Sequence, residues 1–207
     1  GPKLKWIKSQ LEDKIYLISF FIISILLALL VLKNFNQNIL INTILISSAL
    51  YLFFITLRDF FVKKYKNISQ NIAHFGFSLL ILSILFNNIY STEVITNLKV
   101  GERFKNDRIE IIFNNLTQSN EKNYNSLKGN FTVKERNITT RLEPELRIYN
   151  QPKIVTSEAD IKTSFLSDKF ITINNVQNEE YFNVRYQVKP FMIWIWISVL
   201  LISFGGL

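Results

Sequence analysis

One histidine, His74, is the residue of this chain whose type and position could support cofactor chemistry. It lies near the start of an apolar segment, residues 72–90, that is long enough to cross a bilayer. An ionisable side chain within a membrane segment is costly unless it has a partner, and such residues often mark functional sites. A neutral imidazole nitrogen aimed between helices can serve as an axial ligand to haem iron. The alternative is a structural imidazole that hydrogen-bonds a backbone carbonyl or a polar side chain of a neighbouring helix.

Gly76 and Met192 bear on this hypothesis. Gly76, two positions after His74, would allow a flat ring or another helix to approach closely. Met192, the only methionine, lies near the outer end of a later apolar segment, and about 25 Å of bilayer would separate it from His74. The two side chains therefore cannot bind one iron. The second ligand of a six-coordinate site would come from another polypeptide or from a part of this one that the sequence lacks.

Other kinds of site chemistry are not supported by this sequence. The chain has no cysteine, which excludes disulfides, thiolate metal sites and a thiol nucleophile within it. It shows no catalytic carboxylate pair, no Ser-His-Asp arrangement, no phosphate-binding glycine loop and no zinc spacing. Nothing indicates a self-contained hydrolase or transferase, so any part in catalysis would consist of holding a cofactor or substrate for a larger assembly.

Four apolar segments could position these residues. A membrane helix needs roughly 20 apolar residues, and the sequence predicts such helices at residues 15–32, 39–57, 72–90 and, within a carboxy-terminal region 189–207, at 191–207. The first two are separated by a short polar stretch, which predicts an antiparallel hairpin. With residues 91–188 as an extramembrane all-β domain, the predicted fold class is an α+β membrane protein with four transmembrane helices.

The basic residues predict how these helices are oriented. The net charge of +8 could indicate nucleic acid binding, but Lys and Arg flank the apolar segments in two groups. The groups are Lys3, Lys5, Lys8 and Lys14, and then Arg58, Lys63, Lys64 and Lys66. The positive-inside rule puts both groups on the inner side, and residues 91–188 then lie outside. Abundant Asn, Ile, Lys and Phe fit an AT-rich organelle genome, so we expect the mitochondrial inner membrane with the domain in the intermembrane space, or a bacterial inner membrane with the domain in the periplasm.

The external region has the pattern of a small antiparallel sandwich or barrel. Short β-branched runs alternate with breaks, and the breaks at residues 142–145 and 150–152 contain proline. The predicted strands include residues 109–113, 130–134, 145–149, 170–173 and 182–186. The charges in this region are mixed in sign and are interpreted mainly as a solvated surface. An arginine within 141–147 could instead pair with a haem propionate or a partner's carboxylate.

Trp194 and Trp196 follow Phe191 at the start of the last apolar segment. Aromatic residues at this position are typical of an interfacial belt, and we predict that they anchor the helix. The alternative is contact with a porphyrin, which would require the rings to face the helical bundle.

Several segments together resemble the carboxy-terminal part of the CcmF-type haem lyase of cytochrome c maturation. They occur in the family's order across essentially the whole chain, and the agreement favours a native Gly-Pro start over a tag remnant. The segments are residues 1–6, Ala73-His74-Phe75-Gly76, residues 142–149, 156–161 and 168–171, and 185–196 followed by Gly205-Gly206.

The resemblance implies a membrane machine that joins haem vinyl groups to the Cys-x-x-Cys-His motif of apocytochrome c on the outer side of the membrane. His74 matches the family's intramembrane histidine, which ligates a structural haem b thought to reduce the incoming haem. The chain would then be part of a multi-subunit lyase and would not be catalytic alone.

The sequence also departs from the family pattern. The family's tryptophan-rich haem-handling segment and its external haem-binding histidines are missing, because they lie in the family's amino-terminal part. In some mitochondria the gene is split, so we expect a split form that needs an amino-terminal partner. The alternative is a non-catalytic structural membrane subunit of a respiratory complex, derived from the lyase. A transporter is disfavoured, since four spans without a repeat offer little for alternating access.

Overall fold

The computed structural model of the chain describes residues 11–33, 39–62, 68–136, 138–175 and 180–206. It divides into a helical unit and a β unit, the latter spanning Tyr90–Ile193. Several residues used for the orientation prediction lie outside the described residues or have side chains that are not described. They are the amino-terminal segment 1–6, Lys3, Lys5, Lys8, Lys14, the loop 34–38, Lys63, Lys64 and Lys66.

Among the described residues of the helical unit, three helices are long and apolar enough to cross a membrane. They are α1 (Leu11–Leu32), α2 (Ile39–Val62) and α3 (Ile68–Tyr90). The helix α3 begins four residues before the predicted segment 72–90, because its polar first turn is helical without being apolar. The last helix, α4 (Met192–Gly206), has 15 residues. At about 1.5 Å per residue it is about 22 Å long, shorter than the roughly 30 Å hydrocarbon core.

Small and apolar side chains form the core of the helical unit. Its buried members come from α1, α2 and α3: Ala28, Leu32, Ile46, Ala49, Leu50 and Leu82. Ser24 is fully buried and donates a hydrogen bond to the Phe20 carbonyl, 2.7 Å away, so that its hydroxyl is satisfied within its own helix. Many isoleucines and leucines of α1 and α2 instead point outward and are more than 40% exposed, as expected of helices whose surroundings are lipid.

The described residues of the β unit form two antiparallel sheets. Sheet A has four strands in the order β1, β10, β9, β8, and sheet B has six, in the order β2, β3, β4, β6, β7 with β5 also paired to β4. The strands are β1 (Thr92–Leu98), β2 (Arg103–Lys105), β3 (Ile109–Asn120), β4 (Tyr124–Glu135), β5 (Ile138–Leu142), β6 (Glu145–Asn150), β7 (Lys153–Glu158), β8 (Asp160–Thr163), β9 (Ser167–Asn175) and β10 (Phe182–Pro190). All five predicted strand runs lie within these elements, and both predicted proline breaks separate strands, so those predictions are confirmed.

The strand β4 pairs with three other strands of sheet B. One of its edges pairs with β3, while the other edge pairs first with β6 and then with β5. The break between β5 and β6 lies opposite Gly129, whose amide donates a hydrogen bond to the Pro144 carbonyl at 2.9 Å. A proline has no amide hydrogen to donate in a sheet, and Pro144 lies where the partner of β4 changes from β6 to β5.

The core between the sheets follows the two-residue alternation of the strands. In β3 the side chains of Ile109, Ile111 and Phe113 are buried. Phe113 stacks on Phe131 of β4 with ring centroids 4.3 Å apart. Sheet A adds Ile171, Ile173, Val184 and Tyr186 from its inner face.

Candidate functional site

His74 lies in the second turn of α3 and its side chain is exposed. Its neighbours along the helix face other helices: Ala73 contacts α4, and Phe75 contacts α2. Successive residues of a helix are about 100° apart, so His74 points away from both contacts. Among the described residues, no hydrogen bond to the imidazole is found, and the structural alternative of an internally bonded histidine receives no support.

His74 belongs to an exposed stripe along α3 that is interrupted at the partly buried Ile81. The exposed members are Gln70, His74, Phe77, Ile84 and Asn88, and their spacings of three, four and seven residues place them on one helix face. Phe77 is 52% and Ile84 49% exposed. His74 therefore lies on the same helix face as two apolar side chains that α1, α2 and α4 leave exposed.

Gly76 lies on the opposite face and makes room for α4. A Cβ at Gly76 would come within 3.0 Å of the Ser198 carbonyl oxygen and 2.9 Å of the Leu201 Cβ. One turn towards the start of α3, Ala73 lies against Gly205. Of the two expectations for Gly76, close approach of another helix is the one observed. The contacts run in opposite order along the two helices, so α3 and α4 are antiparallel.

The helix α2 fixes the rotation of α3 from another side. The hydroxyls of Thr56 and Ser78 are buried and lie 3.0 Å apart, so that one donates to the other. Phe75 packs against Phe53 and Phe60, with ring centroids 5.5 Å and 6.4 Å apart. Together with the α4 contact, these interactions hold His74 on the outward face.

The described residues contain no group of three or more His, Cys, Asp or Glu side chains that could hold a metal ion. As a single imidazole, His74 could supply one ligand to a metal. Met192 does not approach it, since Gly205 is the residue of α4 that lies beside Ala73, and 13 residues of helix from Met192 to Gly205 span about 20 Å. The outward imidazole shares its helix face with two exposed apolar side chains, those of Phe77 and Ile84.

The two tryptophans at the start of α4 differ in exposure. Trp196 is 64% exposed and faces away from the helical core, which favours the predicted interfacial role over porphyrin contact. Trp194 is partly buried, and its carbonyl accepts a hydrogen bond from Ser198 at 2.6 Å.

The arginines near Pro144 have different surroundings. Arg147 lies in β6, where it pairs with Glu145 at 3.1 Å and stacks over Tyr124. Hydrogen bonds from Arg147 and Ser126 lower the pKa of the Glu145 carboxyl. Arg141 is exposed, and none of the described carboxylates pairs with it. Of the two arginines, Arg141 is the one whose charge remains available to a partner's carboxylate or a propionate.

One polar cluster, formed by Glu135, Lys169 and Tyr186, was not predicted from the sequence. Tyr186 is 1% exposed, and its hydroxyl donates to Glu135 at 2.8 Å, while Lys169 forms an ion pair with the other oxygen of that carboxylate. Burial and the neighbouring carboxylate raise the pKa of Tyr186. The cluster joins β4 of one sheet to β9 and β10 of the other, but it stabilises the sandwich and offers no open site.

The contact between α3 and α4 was also not predicted. Ser69, Ala73 and Gly76 are small residues at spacings of four and three, which is the signal of a close helix–helix interface. The sequence alone does not say which helix is the partner.

The sequence matches a known family model. The model described as the CcmF C-terminal beta-sandwich covers residues 89–190. The cytochrome c-type biogenesis protein CcmF of Haemophilus influenzae is 26% identical over 100% of this chain and 35% of its own length. CcmF of Escherichia coli is 23% identical over 100% of the chain and 34% of its own length. The chain thus spans about a third of the length of these relatives.

A solved structure shows the same fold. The chain matches a structure described as cytochrome c heme lyase CcmF with a TM-score of 0.69, over 99% of this chain and 36% of that one. Only 16% of the aligned residues are identical, so this likeness establishes the fold and nothing finer.

Proposed function

We propose, because the chain is a CcmF-type carboxy-terminal part, that it acts in cytochrome c maturation as a subunit of a membrane haem lyase assembly. In this role it would help to attach haem to apocytochrome c without being catalytic alone. Its two contributions would be one axial ligand to an intramembrane haem b, supplied by His74, and the β unit on the outer side of the membrane.

The outward position of His74 is the observation that carries this proposal. An ionisable side chain on the lipid-facing surface of a membrane helix is unfavourable unless something covers it. The stripe around His74 is apolar at Phe77 and Ile84, so a haem face together with a second helix would cover it well. When bound, haem iron supplies one-electron chemistry, and the imidazole would hold it in place.

The chain needs a partner in this proposal. His74 supplies one ligand and Met192 is too distant, so the second ligand would come from the amino-terminal part of the lyase, either as a separate polypeptide or as a preceding segment. The rest of α3 is fixed by α2 and α4, which means that the stripe is presented to the partner in a defined orientation.

The proposal includes the orientation and location of the chain. The positive charge at the carboxy-terminal end of α2 supports an inner location for that end of the helix and an outer location for the β unit. We propose that α4, although short, also lies in the membrane, because it is apolar throughout and packs along α3. The assembly would reside in the mitochondrial inner membrane or in a bacterial inner membrane.

Optical spectra of the detergent-purified assembly, oxidised and reduced, test the ligand role. We expect a low-spin b-type signal that is lost in His74→Ala and kept in Asn88→Ala, which alters the same stripe away from the histidine. Added imidazole should restore the signal in His74→Gly by replacing the ligand.

An assembly that copurifies normally but shows the same haem content in His74→Ala would refute the ligand role. Copurification with an electron-transfer complex, and not with the amino-terminal part and apocytochrome c, would favour the structural subunit instead.

A further inference from the structure

The turn between β8 and β9 exposes two adjacent large apolar side chains. Phe165 is 60% and Leu166 62% exposed. Ser164 and Ser167 close the turn: the Ser164 amide donates to the Ser167 carbonyl at 3.1 Å, and the Ser167 amide donates to the Ser164 hydroxyl at 3.2 Å. Turns at a water-exposed surface are usually built from Gly, Pro, Asn, Asp and Ser. A turn that is closed by its own hydrogen bonds and presents Phe and Leu indicates an apolar binding partner.

The place of this turn in the chain identifies the partner. The Leu166 carbonyl accepts a hydrogen bond at 2.9 Å from the amide of Phe191, the residue between β10 and α4. Phe191 has a φ of 61°, a left-handed conformation that a bulky residue rarely adopts. The turn is thus bonded to the residue that connects β10 to the apolar helix α4.

The other connection to the helices leaves from the same end of sheet A. The strand β1 begins at Thr92, after α3 ends at Tyr90, and Thr92 is paired with Val188 of β10. In the same sheet, Pro190 is paired with Ser167. Both chain connections to the apolar helices and the Phe165-Leu166 turn therefore belong to one end of the sheet.

We propose that the Phe165-Leu166 turn inserts into the headgroup and upper acyl region of the bilayer, as a lipid anchor in addition to the two helix connections. Short apolar and aromatic groups are stabilised at this depth, where their polar backbone remains near water. The exposed Lys162 precedes the turn, and its charge suits lipid phosphates. The anchor would restrict tilting of the β unit at the membrane surface. It does not depend on haem binding by His74.

Depth-dependent quenching tests this proposal on the full chain in lipid nanodiscs. Since the sequence has no cysteine, Leu166→Cys can carry a single environment-sensitive fluorophore, and Glu121→Cys, exposed in the β3–β4 hairpin, is the matched control. We expect lipids with a nitroxide near the headgroup to quench the label at position 166 several-fold more than that at 121. Aqueous iodide should show the opposite preference. Phe165→Cys repeats the measurement from the adjacent side chain.

Two outcomes would overturn the lipid anchor. Equal quenching by iodide at positions 166 and 121 would show that the turn lies in water. Protection of position 166 from both iodide and the nitroxide lipids in the purified assembly would show that another protein covers it.

Discussion

Gly205 of α4 lies directly against the backbone of Ala73 in α3, where a Cβ at position 205 would stand 2.4 Å from the Ala73 amide nitrogen. This contact is one residue from His74, and it packs that side of α3 against α4. The imidazole therefore points away from α4. The outward direction of His74 is thus set by how closely α4 can approach its neighbour.

Replacing Gly205 by valine should separate α3 from α4 and destabilise the chain by about 1–3 kcal/mol, the usual cost of overpacking. Thermal unfolding of the detergent-purified chain, followed by circular dichroism, measures the change. Gly206→Val is the control, because a Cβ at Gly206 meets no atom within 4 Å. Equal melting temperatures for the two variants would contradict the close contact.

The hydroxyl pair of Thr56 and Ser78 should make a measurable contribution to helix association. A double-mutant cycle with Thr56→Val and Ser78→Ala is expected to give a coupling energy of about 0.6 kcal/mol, the average for hydrogen bonds between membrane helices. Ser48 is exposed and bonds the Ile44 carbonyl of its own helix, so a cycle between Thr56→Val and Ser48→Ala should give none. Additive effects in both cycles would argue against the bond.

The hydroxyl of Tyr186 should make the stability of the folded protein depend on pH in the alkaline range. The pKa of its hydroxyl is raised in the folded state by burial and by Glu135, whereas an unfolded tyrosine titrates near a pKa of about 10. The raised folded pKa means that the stabilisation is complete below about pH 10 and declines as the pH rises above it. Tyr186→Phe should therefore be less stable than the wild type at pH 7 by about 1 kcal/mol.

Urea unfolding of the wild type and of Tyr186→Phe across this pH range checks both statements. The difference between the two proteins should shrink above about pH 10, where the unfolded wild type loses its phenolic proton. A difference that stays constant with pH would mean that Tyr186 ionises normally in the folded protein.

The sequence predicted those elements whose signal is local. Alternating side chains in residues 109–113 indicate a half-buried strand regardless of its partner, and β3 carries that pattern. The long apolar runs likewise identify α1, α2 and α3, since the requirement to span a bilayer depends on length and composition alone.

The features that were not predicted depend on residues that are distant in the sequence. Glu135 meets Lys169 and Tyr186 across 34 and 51 residues, and no local pattern encodes such a meeting. Gly76 suggested a close approach, but only the position of α4 shows that a helix fills the space. The exposure of His74 follows from the same packing and could not be read from α3 alone.

A side chain at Gly129 should lower the stability of the folded protein, because of packing and not because of the backbone conformation of this residue. A Cβ there would lie 2.7 Å from the Phe131 ring and 3.4 Å from the Phe113 ring, which are stacked in the core. Gly129→Ala is expected to cost about 1–3 kcal/mol in denaturant unfolding. A neutral Gly129→Ala would show that the core can relax.

Gly101 differs from Gly129, because a Cβ there would meet open space but its φ is 88°. Gly101→Asn should therefore cost less than Gly101→Ala in denaturant unfolding, since asparagine adopts left-handed conformations more readily.

The orientation of the chain can be determined with single cysteines, because the sequence has none of its own. Positive charge near the end of α2 predicts an inner location there and an outer one for the start of the α1–α2 connection. In sealed vesicles whose exposed side is the outer one, a membrane-impermeant maleimide should label Lys33→Cys and Glu121→Cys at once. Val62→Cys, exposed at the end of α2, should react only after permeabilisation. Immediate labelling of Val62→Cys, with Lys33→Cys and Glu121→Cys protected, would show that the orientation is the opposite one. The β unit would then lie on the wrong side of the membrane for the proposed attachment of haem to apocytochrome c.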